Sequence, residues 1–530
     1  MIGMLLVAAI ILLCVLADRF SDKFGMPALI LFMAIGMFFG SDGFVKIQFT
    51  DYLLTEHVCN IALIFIMFYG GFNTKWSLAK SVATKSILLS TAGVLITAGL
   101  TALLCHFALH FTWLESFLVG AVLSSTDAAS VFSILRRKKL NLKDGTASLL
   151  EIESGSNDPV AYMLTLFGIS MLGAGDGVNF GIRLLTQIVF GVLIGVLFAM
   201  AVIWIMTRTS IVMEGLDTIF MIAMVLMCGG ITWLLDGNFY LSVYLMGIMV
   251  GNSKIRNKSI LIPFFDGITG LMQILIFFLL GLLSFPHELP SVFVPSLLIA
   301  VFLTVVARPI ATFAVLKPFR CSNRQCLLVS WAGLRGAASS VFATIVIASE
   351  VVISCDLYHI VLMVSLFSVA IQGTLLPTVA KKLDMIDAKA DVRKTFNDYQ
   401  DDSVMTLMQM DVPKGHNWEN KPISEVGIPS GSLALMIERG DERIVPKGDT
   451  KILADDVIIL NVPSYQSAGG EHIIEIEIGK NHKWRDKAIY EIALKKDRLI
   501  AMIVRGEENI IPDGNTIIRE GDMVILYFLK

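Results

Sequence analysis

The sequence predicts a polytopic α-helical membrane protein of about thirteen transmembrane spans, followed by a water-facing α/β tail. Three observations lead there. Of 530 residues, 55% are hydrophobic and 16% charged, against about 25% charged in ordinary soluble domains. The apolar residues form long runs up to about residue 382, while residues 386 to 530 read as soluble protein. Lys and Arg collect in alternate loops, as they do on the cytoplasmic side of membrane proteins.

Runs of about 17–25 apolar residues are candidate spans. They lie near 2–17, 27–43, 57–72, 86–108, 114–135, 147–173, 178–206, 215–235, 238–252, 260–283, 290–316, 325–348 and 357–380. The first run lacks a basic leader and a small-residue cleavage site, so it reads as a retained helix. One set of loops holds Arg19, Lys23, Lys75, Lys80, Lys85, the run Arg136 to Lys139, Arg208, Lys254, Arg256, Lys258, Lys317, Arg320 and Arg324. The other holds little beyond Lys46 and Arg183. That asymmetry predicts an external N-terminus and a cytoplasmic tail. The seven cysteines form no CxxC or Cys/His cluster, so neither a disulfide framework nor a zinc site is expected. With the charges segregated by loop, the net charge of −3 does not point to a nucleic-acid partner.

Polar groups inside such spans are functional candidates by default. Span five contains "GAVLSSTDAASVF", which sets Ser124, Ser125, Thr126 and Asp127 near its middle. Span six contains "LEIESGSNDPVAYML", with Glu151, Glu153, Ser154, Asn157 and Asp158. Pro159 has no N–H for the carbonyl of Gly155, and Gly155 is expected to let the backbone relax there. A freed carbonyl near the Asp158 carboxylate is a hard oxygen donor suited to a monovalent cation. Asp158 can hold a cation or a proton, which is the minimal chemistry of exchange. Span twelve contains "VSWAGLRGAASSVFATIV", where Arg335 sits between Gly333 and Gly336 and needs an anionic partner, Glu153 or Glu151. "TDAASVF" and "RGAASSVF" echo each other as an inverted repeat of helices 1–6 and 8–13 would require. Asp266 and Arg308 read as structural residues, and His106, His110 and His359 as interfacial ones.

"STD", "ESGSND" and "GLRGA", in this order, resemble the monovalent cation–proton antiporter superfamily, over about the first 380 residues. The resemblance implies a homodimer with a mobile core that alternates access, and two discontinuous helices crossing at mid-membrane. It implies that Asp158 carries the cation and the proton, with Asn157, Ser154, Thr126 and Asp127 around it and Thr126 as a further cation ligand. It also implies a stabilising ion pair of Glu153 with Arg335, although helical spacing alone favours Glu151. Some members have an acidic residue in span three where this chain reads "FYGG" with Tyr69, so the choice of K⁺ or Na⁺ is not carried over with the motif. Members with ND rather than DD are mostly electroneutral exchangers, so the resemblance implies one cation for one proton.

The tail contains a repeat. Trp418/Trp484, Gly440/Gly506, Pro446/Pro512, Gly448/Gly514 and Asp456/Asp522 share an offset of 66 residues. Alternating apolar residues between turn signals predict strands, with a helical turn after each Trp. The expected organisation is a transmembrane domain at 1–382, a linker at 383–402 and lobes at 403–466 and 467–530. The first lobe resembles the C-terminal lobe of regulator-of-potassium-conductance modules, or TrkA C-terminal domain, and the second is a looser match. Such lobes dimerise and often bind regulatory nucleotides or cyclic dinucleotides; no Gly-rich dinucleotide fingerprint accompanies them here. The expected function is a non-enzymatic antiporter of the bacterial inner membrane, needing no cofactor and exchanging K⁺ in preference to Na⁺ for protons. This combination resembles the potassium/proton exchangers linked to cell-volume regulation. The competing classes are a ligand-gated cation channel, which should show a filter such as TVGYG, and a sodium-coupled solute symporter.

Overall fold

Apolar segments in a bilayer must satisfy their own backbone groups, and a helix does so within one segment. The computed structural model describes residues 2–24, 27–138, 140–173, 180–209, 215–387, 405–428, 432–440, 442–463, 471–479, 482–492, 494, 498–505, 508–510 and 512–529. Contacts divide the chain into two units, Met1–Gln400 and Asp401–Lys530.

In the first unit, eight helices among the described residues are long and apolar enough to cross a membrane. Four shorter apolar helices, Ala28–Phe39, Trp113–Val122, Phe239–Gly251 and Ala337–Ala348, fall within further expected spans. One packed group joins Tyr52–Asn73 to Phe239–Gly251 and to Lys258–Leu283, which in turn lies on Ala28–Phe39. Three long spans contain a π-helical turn, at Leu89–Gly93, Leu303–Ala307 and Ser368–Gly373. Two of these have a cause in the sequence. Pro309 and Pro377 have no N–H for the carbonyls of Val305 and Gly373, and both carbonyls lie inside π turns.

Two spans are broken in the middle. Span five is Trp113–Val122 followed by Ala128–Arg137, and span twelve is Asn323–Trp331 followed by Ala337–Ala348. The breaks meet: the Asp127 N–H donates to the Leu334 carbonyl at 2.8 Å. Span six, by contrast, is the continuous helix Thr146–Leu172, which runs through Pro159. The expected relaxation at Gly155 does not occur. Gly155 instead makes room for the Tyr244 ring, which lies where a Cβ would stand.

The second unit holds two four-stranded antiparallel sheets. The first, of β1 (Met405–Val412), β2 (Leu433–Arg439), β3 (Glu442–Ile444) and β4 (Asp456–Pro463), has the order β1-β4-β2-β3. The second, of β5 (Glu471–Glu477), β6 (Arg498–Arg505), β7 (Glu508–Ile510) and β8 (Met523–Leu529), repeats it as β5-β8-β6-β7. Even the register shift recurs, at Ala434/Met436 and at Ile500/Met502. The helical turn expected after each Trp is one 3₁₀ turn per lobe, Ile423–Glu425 and Ile489–Glu491. Among the described residues the lobes are therefore β-sheets, not layered α/β units.

Each lobe buries the repeated Asp on an Arg. Asp456 accepts from Arg439 Nε and Nη2 and from the Leu453 N–H, each at 2.8 Å. Asp522 accepts from Arg505 Nε and Nη2 and from the Arg519 N–H, at 2.8, 2.7 and 2.7 Å. Burial alone would raise these carboxyl pKa values, but the guanidinium and amide donors outweigh it and hold both below the ordinary range. A depressed pKa makes the ionised form the stabilising one. The contribution is full above the unfolded value of about 3.9 and is lost as pH falls through the folded value. Asp456→Asn should therefore cost the lobe roughly 1.5–3 kcal/mol at neutral pH, the worth of charge-assisted bonds. Calorimetry of the full-length protein in detergent should show the tail transition lowered at neutral pH and the deficit shrinking towards pH 3. A deficit independent of pH would contradict the linkage.

Candidate functional site

A helix end leaves its last carbonyls without partners, and a mid-membrane break creates such an end where no water is at hand. The break after Val122 is resolved group by group. The Ser124 and Ser125 carbonyls accept from Arg335 Nη1 at 2.8 and 2.5 Å. The Thr126 carbonyl accepts from Ser154 Oγ at 2.7 Å. Asp127 then caps the next half-helix, accepting from the Ser130 N–H and Ser130 Oγ. A guanidinium thus faces the negative end of Trp113–Val122 and a carboxylate the positive end of Ala128–Arg137, as the helix dipoles require. Gly336 is needed because the Asp127 carboxylate occupies the place of a Cβ there.

Opposite the break lies Asp158. Ser125 Oγ donates to Asp158 Oδ1, and Asn157 Nδ2 donates to Thr126 Oγ1 at 2.5 Å. All four residues are buried, and Asn157 Oδ1 has no hydrogen-bond partner. Ser125, Thr126, Ser154, Asn157 and Asp158 therefore gather hydroxyl, amide and carboxylate oxygens around one point of the break. That is a donor set for a hard monovalent cation, and its single carboxylate can take a proton instead. A cavity of about 850 Å³ reaches Asp158, Ser154 and Asp127, and is also lined by Tyr69, Asp266 and Lys138. Tyr69 OH donates to Asp266 Oδ1 at 3.2 Å, and the carboxylates of Asp18 and Glu151 also line this cavity.

The expected pair of Glu153 with Arg335 is not the one the structure makes. Glu153 Oε1 accepts from Arg308 Nη2 in a buried ion pair, with 1% and 2% of the side chains exposed. Arg335 is committed to the carbonyls of Ser124 and Ser125, and its own N–H donates to Ser368 Oγ at 2.9 Å. The reason is the broken helix, whose freed carbonyls offer Arg335 nearer partners than a carboxylate. Arg335 still interacts electrostatically with both Arg308 and Glu153. Glu151 is not in that cluster; it accepts from Thr74 Oγ1 at 3.0 Å. Arg308, read from the sequence as structural, is that, with Glu153 as its partner, and Ser125, the first residue of "STD", is among the polar residues of span five but is not marked by the motif as an Asp158 partner. A buried Arg within an apolar span was the available signal for Arg308.

His359, expected at the interface, is buried. Its Nε2 accepts from the Phe285 N–H at 3.0 Å, and Nδ1 lies 2.7 Å from Asp356 and 3.3 Å from Glu288. With Nε2 accepting, Nδ1 holds the proton and points it at the carboxylates, which leaves no lone pair there for a metal ion.

Two broken helices whose breaks touch, facing a buried carboxylate that lines a cavity, define a secondary transporter of the discontinuous-helix class. The chain belongs to the sodium/hydrogen exchanger transmembrane family, which matches residues 7–382, and it carries the TrkA-C domain twice, at 407–464 and 473–528. It is a cation/proton antiporter and not an enzyme. Among its relatives is the K(+)/H(+) antiporter NhaP2 of Shewanella baltica, 31% identical over 465 residues, 86% of this chain and 80% of that one. The K(+)/H(+) antiporter NhaP of Alkalimonas amylolytica is 32% identical over 383 residues, 72% of this chain and 67% of that one. The fold is similar to that of the sodium proton antiporter MjNhaP1 from Methanocaldococcus jannaschii at pH 8. The TM-score is 0.64 at 24% identity, over 72% of this chain and 99% of that one.

Proposed function

We propose that the protein exchanges cytoplasmic K⁺, in preference to Na⁺, for external protons, one for one, with Asp158 holding either the cation or the proton. The observation that carries this is the single carboxylate among the oxygens of Ser125, Thr126, Ser154 and Asn157. A cation needs that carboxylate ionised, so cation and proton exclude one another, and alternating access turns exclusion into exchange. The cavity to Asp158 is also lined by Lys138, in the basic stretch read as cytoplasmic, which supports an inward-facing state. Above Asp158 on the same helix, Tyr162 packs on Tyr240 and Phe239, with ring centroids 5.1 and 5.3 Å apart. Phe342 closes the group 5.9 Å from Tyr240, and we assign this aromatic block to the external seal.

The preference for K⁺ rests on the relatives named as K⁺/H⁺ antiporters. A homodimer in the inner membrane, with the N-terminus outside and the tail cytoplasmic, belongs to the same reading and rests on family membership and loop charge. Tail regulation rests on the two TrkA-C matches. In proteoliposomes holding an acid-inside gradient, dequenching of a pH dye should be larger for K⁺ than for Na⁺ or Li⁺ at equal concentration. Equal or reversed responses would overturn the preference. No response to any of the three would overturn the proposal.

A further inference from the structure

The last described residues before the tail are built into the transport unit. The helix Thr374–Lys382 closes with Asp384 in a left-handed conformation, φ 54°, and the Met385 N–H returns to the Ala380 carbonyl at 3.0 Å. Residues 385–387 then pair with the loop 141–143. The Lys143 N–H donates to the Met385 carbonyl and the Asp387 N–H to the Asn141 carbonyl, both at 2.9 Å, with Leu142 bridged to Ile386. Met385 and Leu142 are buried in one apolar cluster with Leu149, Leu150, Leu328 and Leu376.

That loop is a junction. It follows the half-helix Ala128–Arg137 and leads into Thr146–Leu172, the helix of Asp158. Span twelve grips it too, because Gln325 Nε2 donates to the Asp144 carbonyl and to Thr146 Oγ1, both at 3.1 Å. Asp384 joins the same parts by charge: Lys143 Nζ lies 2.9 Å from Oδ1 and Arg324 Nη1 3.2 Å from Oδ2. The Asp384 and Arg324 side chains are 69% and 63% exposed, so these ion pairs add little and the backbone bonds dominate.

We propose that the strap Asp384–Asp387 is a positioning element of the exchange cycle: it sets both broken helices against the Asp158 helix, and it is where the tail acts on them. The tail half of this rests on the reading that the tail regulates transport. Chain continuity gives the route, since the linker to the first lobe starts at the strap. No other segment among the described residues bonds at once to the loop between spans five and six and to span twelve while leading directly to the lobes.

The test uses full-length protein in proteoliposomes. Asp387→Pro deletes the N–H given to Asn141 and leaves the rest of the strap, while Asp387→Ala keeps that N–H. Losing one such bond should change the balance of transport states, and with it the apparent KM for K⁺, about fivefold, with maximal rate per folded transporter kept. Asp387→Ala, which loses the same side chain but keeps the N–H, is the reference against which the shift of Asp387→Pro is read. A flexible Gly-Ser insertion at 390–400 should shift KM in the same direction, with no further shift on Asp387→Pro. Unchanged KM in Asp387→Pro, or a change confined to folded yield, would overturn the positioning role. An insertion without effect, or effects that add, would overturn the tail's part. Exchange that survives Asp158→Asn would instead count against the site, and so separates failure of the earlier reading from failure of this one.

Discussion

Asp158→Asn should abolish cation-driven proton exchange while leaving the protein folded and inserted. The substitution preserves shape, and the amide oxygen can still accept from Ser125 Oγ as Asp158 Oδ1 does. What it removes is the charge that balances a bound cation and the oxygen that takes up and releases a proton. The neighbours cannot replace it. Asp127 caps Ala128–Arg137 through Ser130, and Glu153 is bound to Arg308. The expected signal in proteoliposomes is that of empty liposomes for K⁺, Na⁺ and Li⁺ alike, at an unchanged elution volume and melting temperature in detergent. Residual exchange would place the carrier elsewhere, and the Asp266 carboxylate facing the same cavity would be the first alternative.

Much of this was legible in the sequence, and the parts that were not share a physical cause. Spans follow from hydropathy because lipid leaves the backbone one economical solution. Asp158, Asn157, Ser154, Thr126 and Asp127 stand out as polar residues that an apolar helix has no use for, and the structure gathers them at one break. The tail repeat was legible as an offset of 66 residues, and the structure extends it to a shared register shift. Side-chain pairing between distant helices was not, because it depends on rotations that hydropathy does not encode. Arg308 begins the helix immediately after the π turn Leu303–Ala307. One extra residue in a turn rotates everything beyond it by about 100° around the helix axis. A regular helix drawn through "TVVARPIA" would therefore aim Arg308 at the wrong neighbour. Gly155 shows the same limit: beside Pro159 it suggested a loosened backbone, but its partner is a tyrosine far off in the sequence.

The pairing also separates the two arginines. Arg308→Ala leaves the Glu153 carboxyl buried and without its guanidinium, and breaking a buried pair on one side costs about 3–5 kcal/mol. Arg335→Ala leaves the Ser124 and Ser125 carbonyls without a donor, at about 1–3 kcal/mol for each buried unsatisfied group. Both variants should therefore lose folded yield and melting temperature in detergent, and they differ in what repairs them. Glu153 Oε2 has no partner even in the intact pair, so the carboxylate depends on this one contact more than a surface group would. Removing the stranded charge should repair much of the damage: Arg308→Ala with Glu153→Gln should melt higher than Arg308→Ala alone. The same Glu153→Gln added to Arg335→Ala should give no comparable recovery, because Arg335 is not what neutralises it. Equal rescue of both arginine variants would return Glu153 to Arg335 and undo the assignment. Rescue of Arg308→Ala alone would establish that the ion pair holding the crossing joins span six to the π-interrupted helix and not to the second broken span.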